Sequence, residues 1–300
     1  MQKVLVIHSW GLGDLLLATP MLKSLSLSGY QVDLVLFSAA NTIILQENDF
    51  IDNIFVFKKR WEFIKFYKQY DYVVSTAGTD PKKIAILNFL IGAKKIFSAH
   101  QQKDLHRIEM NLKIVKDLVT QTTKEPYIYI KKESNIVEKY LKKDQKNVGF
   151  AVGSGKTQKF KRWKKFKELA EAVEANRLLF IGPDEYDLEE HYKDTNVTIV
   201  KESLEDTIAL ISQLDLLVGN DNGLMHIGYA TAIDTITIYG MTNPKETGGY
   251  RKNSWSVALN MECMPCFDPK TDKIGCKTID CLENLSFAEV YKRVEGALHQ

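Results

Sequence analysis

A chain of 300 residues is long enough for two domains of ordinary size, and 45% hydrophobic with 26% charged residues is typical of a globular protein. The formal net charge of +2 gives no overall reason to expect a nucleic-acid partner. No apolar run approaches the length that spans a bilayer, and the opening MQKVLVIH is typical of a first strand, not a signal peptide. We therefore expect a cytoplasmic protein.

The first half of the chain alternates apolar runs with segments of helical periodicity. Strands are predicted at 4–8, 32–37, 53–57, 71–75 and 94–97, and helices at 15–27, 61–68, 81–90 and 104–119. Strands that alternate with helices indicate an α/β fold with a parallel, doubly wound sheet. Polar residues then break the pattern at 121–126, which places a domain boundary near residue 145 and predicts domains at 1–145 and 146–300.

The turn after the first strand contains two glycines and an acid, in the order Gly11-Leu12-Gly13-Asp14. A dinucleotide fingerprint would need its third glycine at Leu16, and no acid ends the second predicted strand, so NAD binding is disfavoured. Asp14 is then either a first-turn helix acid or a carboxylate at the ligand-binding edge of the sheet. Further along, His100, His106 and Arg107 indicate a polar loop and helix start more than contact with an anionic acceptor.

The second half opens with a predicted strand at 147–152, followed by Gly153-Ser154-Gly155-Lys156-Thr157. A P-loop would need a glycine at Phe150 and a helix beginning at the Lys-Thr pair, and the sequence satisfies neither. We interpret the segment as a looser turn that approaches a phosphate. The run from Lys159 to Lys167 then carries six basic residues.

This basic run has a simple explanation, a solvated helix start with Trp163 and Phe166 in the core. Yet basic residues at a helix N-terminus oppose the helix dipole, which favours a bound anion. Anionic lipid headgroups are one such partner, although a charged surface is the better explanation of most of these lysines. After the next predicted strand, Gly182-Pro183-Asp184-Glu185 offers two carboxylates, which are either helix caps or ribose ligands.

The stretch from Leu214 to Pro244 contains two strands, each ending in a polar loop. The first loop, Gly219 to Gly223, leads into a helix that Asp221 or Asn222 can cap. The second loop, Gly240 to Pro244, should lie beside it. A strand, a polar turn and a helix N-terminus in this order direct backbone N–H groups at an anion.

All four cysteines lie within a short segment, at Cys263, Cys266, Cys276 and Cys281. The first pair has the Cys-x-x-Cys spacing of a metal chelate, and four thiolates suit tetrahedral zinc or iron. The second pair lacks that spacing, so four reduced thiols are an equal alternative. Either way the segment indicates one local, structural site and not a disulfide framework.

Several of these motifs together resemble family 9 glycosyltransferases, the ADP-heptose:lipopolysaccharide heptosyltransferases and their relatives. They are LGD at 12–14 with LATP at 17–20, KRW at 161–163, DNGLMH at 221–226, YGMTNP at 239–244 and TGGY at 247–250. Asn222 stands where the family has Ser or Thr. The resemblance implies the GT-B architecture, two Rossmann-like domains facing across a cleft, the first binding the acceptor and the second the nucleotide-sugar donor.

The resemblance also implies roles for individual residues. Asp14 would be the general base, Lys161 would contact the donor diphosphate, and Glu185, in preference to Asp184, would hold the ribose. Asp221 and His226 would hold the sugar and its turn. The full implied donor set is Gly153, Ser154, Gly155, Glu185, Asp221, Asn222, Gly223, Leu224, His226 and Thr242.

The implied activity is inverting transfer of heptose from ADP-heptose to a surface glycan such as lipopolysaccharide core, with no catalytic cofactor. The acceptor is a glycan, a glycolipid or a protein, and peripheral contact with the inner membrane is part of this expectation. One alternative keeps the fold with a UDP- or GDP-linked sugar, for capsule, O-chain or protein glycosylation. A different class of alternative is a P-loop-type NTPase or a non-catalytic nucleotide-binding module.

Overall fold

The computed structural model describes residues 1–132, 135–155, 157–259, 261–268, 271 and 273–299. The chain divides into two compact units. Unit 1 contains Met1–Tyr129 with Lys245–Thr247, and unit 2 contains Ile130–Pro244 with the chain from Gly248 onward. Among these described residues, no helix is both long and apolar enough to cross a membrane.

Unit 1 is built on a parallel sheet of five strands. The strands are β1 (Lys3–Ile7), β2 (Gln31–Leu36), β3 (Asn53–Val56), β4 (Tyr72–Ser75) and β5 (Lys95–Phe97), in the order β3-β2-β1-β4-β5. Val6 of β1 lies opposite Leu34 and Val74, which fixes the register at the centre of the sheet. The helices are α1 (Leu12–Leu16), α2 (Thr19–Leu27), α3 (Pro81–Ile91) and α4 (Arg107–Ile114), with 3₁₀ helices at Ala39–Leu45 and Arg60–Phe66.

Three helices of unit 1 differ from the sequence-based expectation. The helix predicted at 15–27 is two helices, because Pro20 lies in the first turn of α2 and its ring does not fit a helix interior. The segment predicted at 61–68 is the 3₁₀ helix Arg60–Phe66, and the helix predicted at 104–119 is the shorter α4. The five strands lie where they were expected, within two residues at each end.

Unit 2 is built on a second parallel sheet, of six strands in the order β11-β10-β9-β6-β7-β8. Its elements in chain order are α5 (Ile136–Tyr140), β6 (Asn147–Ala151), α6 (Phe166–Ala172), β7 (Asn176–Phe180), α7 (Glu189–Tyr192), β8 (Thr198–Val200), α8 (Leu204–Ile211), β9 (Leu216–Asn220), α9 (Gly223–Thr231), β10 (Asp234–Ile238), β11 (Ser254–Val257), β12 (Phe267–Asp268), β13 (Lys273–Ile274), α11 (Asp280–Glu283) and α12 (Phe287–Leu298). The short helix α10 (Pro244–Thr247) lies between β10 and β11 in the chain, and its residues Lys245–Thr247 belong to unit 1. Strands β12 and β13 form an antiparallel hairpin, and 3₁₀ helices lie at Lys159–Lys161 and Pro183–Leu188.

The division between the units falls between Tyr129 and Ile130, earlier than the boundary expected near residue 145. Helix α5 packs on α8 of unit 2, where Lys139 and Tyr140 both donate hydrogen bonds to Glu202. The segment before it belongs to unit 1, because the Tyr129 amide donates to the carbonyl of Ile44. Polar composition marked the break in pattern, but these side-chain contacts decide where the boundary lies.

The strand orders decide which loops lie together. In unit 2, β10, β9 and β6 are consecutive neighbours, and because all three are parallel their carboxyl ends lie at one edge of the sheet. In unit 1 the same holds for β2, β1 and β4. Ligand sites of open α/β sheets form at this edge, so the polar turns after these strands are the places to examine.

Candidate functional site

Asn222 connects two of the three turns at the carboxyl edge of the unit 2 sheet. Its side-chain oxygen caps α9 by accepting from the amides of Leu224 (3.0 Å) and Met225 (3.4 Å). Its side-chain nitrogen donates to the carbonyls of Ala151 and Gly153, each at 3.0 Å, in the turn after β6. A carboxylate cannot donate these last two bonds, so the amide, and not Asp221, fills the cap position.

Asn220, the last residue of β9, connects the same edge to the basic segment. It is fully buried, donates to the carbonyl of Val152 (2.6 Å) and accepts from the amide of Trp163 (3.0 Å). The Trp163 indole in turn donates to the carbonyl of Leu285. The two asparagines therefore satisfy the backbone groups of three loops at once, and they hold the basic segment at the sheet edge.

Lys161 is the most enclosed cation of the basic segment. Its ammonium lies 3.7 Å from a carboxylate oxygen of Asp221 and 4.4 Å from the ring centroid of Phe267, and the two charged side chains are 10% and 13% exposed. A separation of 3.7 Å makes an ion pair but is longer than a hydrogen bond. The carboxylate and the aromatic face together compensate the loss of water around the ammonium.

Arg162, next in the chain, is held by a hydroxyl and a carboxylate. Its Nε donates to the Ser154 hydroxyl (3.1 Å) and its Nη1 to Asp187 (2.9 Å), which also accepts from Lys159 (2.8 Å). Hydrogen bonds from Lys159 and then Arg162 lower the pKa of Asp187 to about 2. The remaining guanidinium nitrogen, Nη2, is buried and makes no hydrogen bond within the described residues.

The Glu185 carboxylate lies directly against the turn after β6. It accepts from the amide of Gly182 (2.8 Å), and a Cβ on Gly153 would overlap the carboxylate. Gly153 therefore leaves the space that the Glu185 carboxylate occupies, and a larger residue there would displace that carboxylate. The side chain of Asp184, the other carboxylate considered, lies outside the described part of the chain.

The remaining predicted donor residues lie on the same loops or on α9. Gly223 begins α9 with open space around its Cα, whereas Gly155 lies in the exposed part of the turn after β6. His226 is buried in α9 with its ring edge-to-face with Tyr229, centroids 5.5 Å apart. Thr242 follows β10, and its buried hydroxyl makes no hydrogen bond within the described residues.

The turn after β6 does not lead directly into a helix. Among the described residues after Gly153, a three-residue 3₁₀ helix begins at Lys159 and α6 begins only at Phe166. The same distance excludes the P-loop arrangement, in which the helix starts at the Lys-Thr pair. Lys156 itself lies outside the described residues.

In unit 1, Asp14 lies in the first turn of α1, at the carboxyl edge of the sheet. Its Oδ1 is 3.5 Å from Nε of Arg107, whose side chain is only 9% exposed, while Asp14 itself is 31% exposed. A Cβ on Gly78 would lie 2.9 Å from the guanidinium, so this glycine (φ +90°) is also required by the position of Arg107. The polar loop and helix start expected here are present, because His106 caps α4 and Arg107 begins it. The burial of the Arg107 side chain is the feature that the sequence did not predict.

His8 lies close to Asp14 but has both ring nitrogens occupied. Nδ1 is 3.0 Å from the Thr76 hydroxyl and Nε2 is 3.2 Å from the carbonyl of Gly11. Burial lowers the pKa of His8, against an opposing contribution from the Asp14 carboxylate. The ring thus fixes the turn before α1.

The four cysteines come together around one small cavity. They line a space of about 30 Å³ with Met241, Met261 and Ile274 among its other walls, and all four are reduced. Hydrogen bonding to Cys276 raises the pKa of the Cys263 thiol, and bonding to Cys266 raises that of Cys276. Within the described ranges, no set of three or more His, Cys, Asp or Glu side chains is arranged as a metal site.

Four contributors to these sites were not assigned a role from the sequence: Arg107, Arg162, Asn220 and Phe267. Arg162 was visible inside the KRW motif, but its partners lie eight residues before it and 25 after it. Asn220 closes an apolar strand and Phe267 lies in the cysteine segment, so neither has a local pattern that marks it. Their positions depend on tertiary contacts that periodicity does not encode.

Residues 83–277 match the profile of glycosyltransferase family 9 (heptosyltransferase). Among curated proteins, the chain is similar to lipooligosaccharide heptosyltransferase 2 of Campylobacter jejuni, with 30% identity over 108 residues. That similarity spans about a third of each protein, 34% of this chain and 33% of the relative.

Two solved structures are similar over nearly the whole chain. A glycosyl transferase family 9 protein from Veillonella parvula has a TM-score of 0.79 at 21% identity, covering 99% of this chain and 97% of that one. E. coli ADP-heptose LPS heptosyltransferase II has a TM-score of 0.76 at 16% identity, covering 100% and 99%. The expected fold class, two Rossmann-like α/β domains of the GT-B type, is thereby confirmed.

We predict that Asn222→Ala lowers the free energy of unfolding by about 1–3 kcal/mol, because it removes a helix cap and leaves two carbonyls without a donor. Asn222→Ser should cost less, since the hydroxyl keeps an acceptor for the α9 amides. Chemical denaturation measures both. Asn196→Ala, at an exposed position of unit 2, is the matched control and should leave the midpoint unchanged. Equal midpoints for Asn222→Ala and the control would contradict the bridging role.

Proposed function

Because the chain belongs to glycosyltransferase family 9 (heptosyltransferase), we propose that it transfers a sugar from a nucleotide diphosphate sugar with inversion at the anomeric carbon. The proposed donor is ADP-heptose, and the acceptor is a bacterial surface glycan such as lipopolysaccharide core. The observation that carries the proposal is the pair of enclosed cations, Lys161 and Arg162, held by acids at the carboxyl edge of the unit 2 sheet. The names of the Campylobacter and E. coli relatives support the heptose.

The donor side needs positive charge for a diphosphate that gains negative charge as the sugar leaves. The N-terminus of α9 has little to offer, because the Asn222 oxygen already accepts from the amides of Leu224 and Met225. Lys161 and Arg162 are therefore the charges that stabilise the leaving group, and their fixed positions avoid a cost of reorganisation during the reaction. The Arg162 Nη2 and Thr242 hydroxyl, buried without protein partners in the described chain, suit phosphate oxygens.

Other predicted donor residues take roles that fit their surroundings. Glu185, beside Gly153 and Gly182, accepts the two hydroxyls of the ribose. Asp221, paired with Lys161, couples the sugar to the cation that holds the diphosphate. His226 supports this turn from inside α9, where it packs on Tyr229. The remaining predicted residues line the donor-binding space through the backbone of the turn after β6 and the start of α9; they are Ser154, Gly155, Gly223 and Leu224.

The acceptor side depends on Asp14. In the proposed step the acceptor hydroxyl gives its proton to the Asp14 carboxylate, and its oxygen forms a bond to the anomeric carbon. The bond from that carbon to the diphosphate oxygen breaks, and the nucleoside diphosphate leaves with the electron pair. Arg107, whose Nε lies 3.5 Å from Oδ1 of Asp14, orients the carboxylate.

A UDP- or GDP-linked donor is the main alternative. The residues around the two cations are proposed to contact the diphosphate and the ribose, and all these donors contain both groups. The acceptor is then a capsule, an O-chain or a protein. We place the reaction in the cytoplasm, at the inner face of the membrane where lipid-linked acceptors are built. An NTPase has less support, because the turn after β6 lacks the helix that a P-loop requires.

We further propose that the four cysteines hold a structural zinc or iron ion. Support comes from four soft ligands that line one small cavity, and from the β12–β13 hairpin that lies between two of them. The described thiols are not arranged as a metal site, so binding of the ion would have to draw them together. All four ligand positions are taken by thiols, so the proposed ion has a structural role and the chemistry stays with Asp14 and Lys161.

The first expected result concerns the nucleotide. Calorimetry with ADP, UDP, GDP and CMP should show selective ADP binding, and Lys161→Ala should weaken it by about ten-fold or more through loss of a charged contact. Lys164→Ala, in the same basic segment but paired with Glu283 at the surface, is the control and should bind as the parent does. Preference for UDP or GDP would keep the mechanism and reject the heptose.

For the base, Asp14→Asn should reduce kcat by about a hundred-fold to ten-thousand-fold, the range a positioned base contributes. Binding of ADP should be unchanged, because Asp14 does not belong to the donor loops. Steady-state assays with ADP-heptose and a lipopolysaccharide-core acceptor measure the first, and calorimetry the second. Asp49→Asn, an exposed acid of the same unit, should be fully active. A fully active Asp14→Asn protein would show that another group takes the proton.

For the metal, elemental analysis of purified protein should find about one zinc or iron ion per chain, and Cys266→Ser or Cys281→Ser should lose it. A chelator should then lower the unfolding temperature of the parent protein, because metal binding and folding are coupled. Metal-free protein whose unfolding temperature a chelator does not change would reject the site.

A further inference from the structure

Unit 1 exposes large apolar side chains along the 3₁₀ helix Arg60–Phe66. Side chains three residues apart lie above one another in a 3₁₀ helix. Phe63 and Phe66 form the buried row, in the core of unit 1, whereas Trp61 (61% exposed), Ile64 (58%) and Tyr67 (55%), the residue after the helix, form the outer row. An aromatic and aliphatic row on the solvent side requires a reason beyond the stability of the unit.

The neighbouring helix α3 has the same property. Ile84, Leu87 and Ile91 face the core, yet Ile86 (71% exposed) and Phe89 (89%) face solvent on the opposite side. A helix that is apolar on both sides is expected in a protein interior or where a surface contacts another apolar phase. Residues 81–92 contain no acid to offset this.

The two helices are fixed to one another. The amide of Lys68 donates to the carbonyl of Ile91 at 2.7 Å, and a Cβ on Gly92 would lie 3.3 Å from the Tyr67 ring. The exposed apolar side chains therefore lie on two helices held side by side; they are Trp61, Ile64, Tyr67, Ile86 and Phe89. Together with the basic residues named in the next paragraph, they form what we call the aromatic–basic face.

The charge around these side chains is strongly positive. The basic neighbours are Lys58, Lys59, Arg60, Lys65, Lys68, Lys82 and Lys83, and the acid within 58–68 is Glu62. Glu62 is turned toward the helix start, where its carboxylate accepts from the amides of Lys58 and Lys59. The Nζ of Lys68 lies 5.2 Å from the ring centroid of Tyr67, so a basic and an aromatic side chain are in contact on this face.

We propose that the aromatic–basic face docks unit 1 on a membrane surface that contains anionic lipids. Trp, Tyr, Phe and Ile side chains fit the boundary between headgroups and acyl chains, and lysines beside them attract the anionic headgroups. A second copy of the chain suits the face less well, because a twofold contact would place the seven basic side chains of one copy against the same seven of the other, and these charges repel. This inference does not depend on the proposed sugar transfer.

The basic segment at 159–167, the other lysine-rich surface, fits headgroups less well. Lys159 and Arg162 pair with Asp187, Lys161 pairs with Asp221, and Lys164 pairs with Glu283. Its large side chains Trp163 and Phe166 are buried. The aromatic–basic face has the opposite character, with exposed aromatic side chains and few acids.

Vesicle flotation tests the proposal, with the full chain and vesicles of phosphatidylcholine alone or mixed with phosphatidylglycerol. The parent protein should float with the mixed vesicles and stay in solution with the neutral ones. Ile86→Ser/Phe89→Ser and Lys82→Glu/Lys83→Glu should each lower the fraction bound by about ten-fold or more. The four substituted side chains are exposed, so both variants should fold. Thermal unfolding followed by circular dichroism checks this.

The controls match each variant in chemistry. Lys142→Glu/Lys143→Glu reverses an exposed lysine pair of unit 2, and Leu27→Ser removes an exposed apolar side chain of unit 1. Both should bind vesicles as the parent does. Equal loss in patch variants and controls, or no binding by the parent, would overturn the proposal. The proposal would also be overturned if the parent protein were an oligomer that bound no vesicles and that the variants of the aromatic–basic face dissociated. That result would assign the face to a second copy of the chain.

Discussion

Asn220 and Asn222 carry the constraint on which the unit 2 site depends. Parallel strands end at one edge, and the loops that follow them present backbone carbonyls and amides that need partners. The two side chains satisfy Ala151, Val152 and Gly153 on one strand end, and Trp163 and the start of α9 on others. An amide supplies two N–H donors and an acceptor, whereas a hydroxyl has a single donor and a carboxylate has none. The loops therefore keep one arrangement before any ligand is bound.

Because of this arrangement, an anion at this edge would be bound by charged side chains more than by the N-terminus of α9. A capped α9 has fewer backbone donors to give, and a carboxylate, Asp221, stands at the same terminus. Burying Lys161 there is unfavourable unless its charge is compensated, and Asp221 with the Phe267 ring does so. The ion pair at 3.7 Å contains no short hydrogen bond that a ligand would have to break. A phosphate oxygen can then approach Lys161 while Asp221 stays in place.

The sequence predicts the layered parts of this protein well and the convergence of its side chains poorly. Apolar runs and their spacing located the strands around Val6 and Val218, because burial on both faces of a parallel sheet requires continuous apolar residues. Periodicity did not separate α1 from α2 or identify the 3₁₀ helix at Arg60–Phe66, since their local patterns resemble one α-helix. Arg107 was expected at a polar loop and helix start, where α4 does begin, but its burial beside Asp14, 93 residues away, was not expected because no local pattern records that contact. The motif resemblance located Lys161 and Asp221 but not the ring of Phe267.

Phe267 connects the cysteine segment to the loop after β10 and to Lys161. The amides of Cys266 and Phe267 both donate to the carbonyl of Met241, the residue before Thr242 in the loop after β10. The hairpin that carries these cysteines thus holds one loop of the site by its backbone and faces Lys161 with an aromatic ring. Loosening the cysteine cluster would move the ring away from the ammonium, and the lysine would lose the partner that makes its burial tolerable. We therefore expect changes in the cysteine cluster to affect Lys161 through the position of the Phe267 ring.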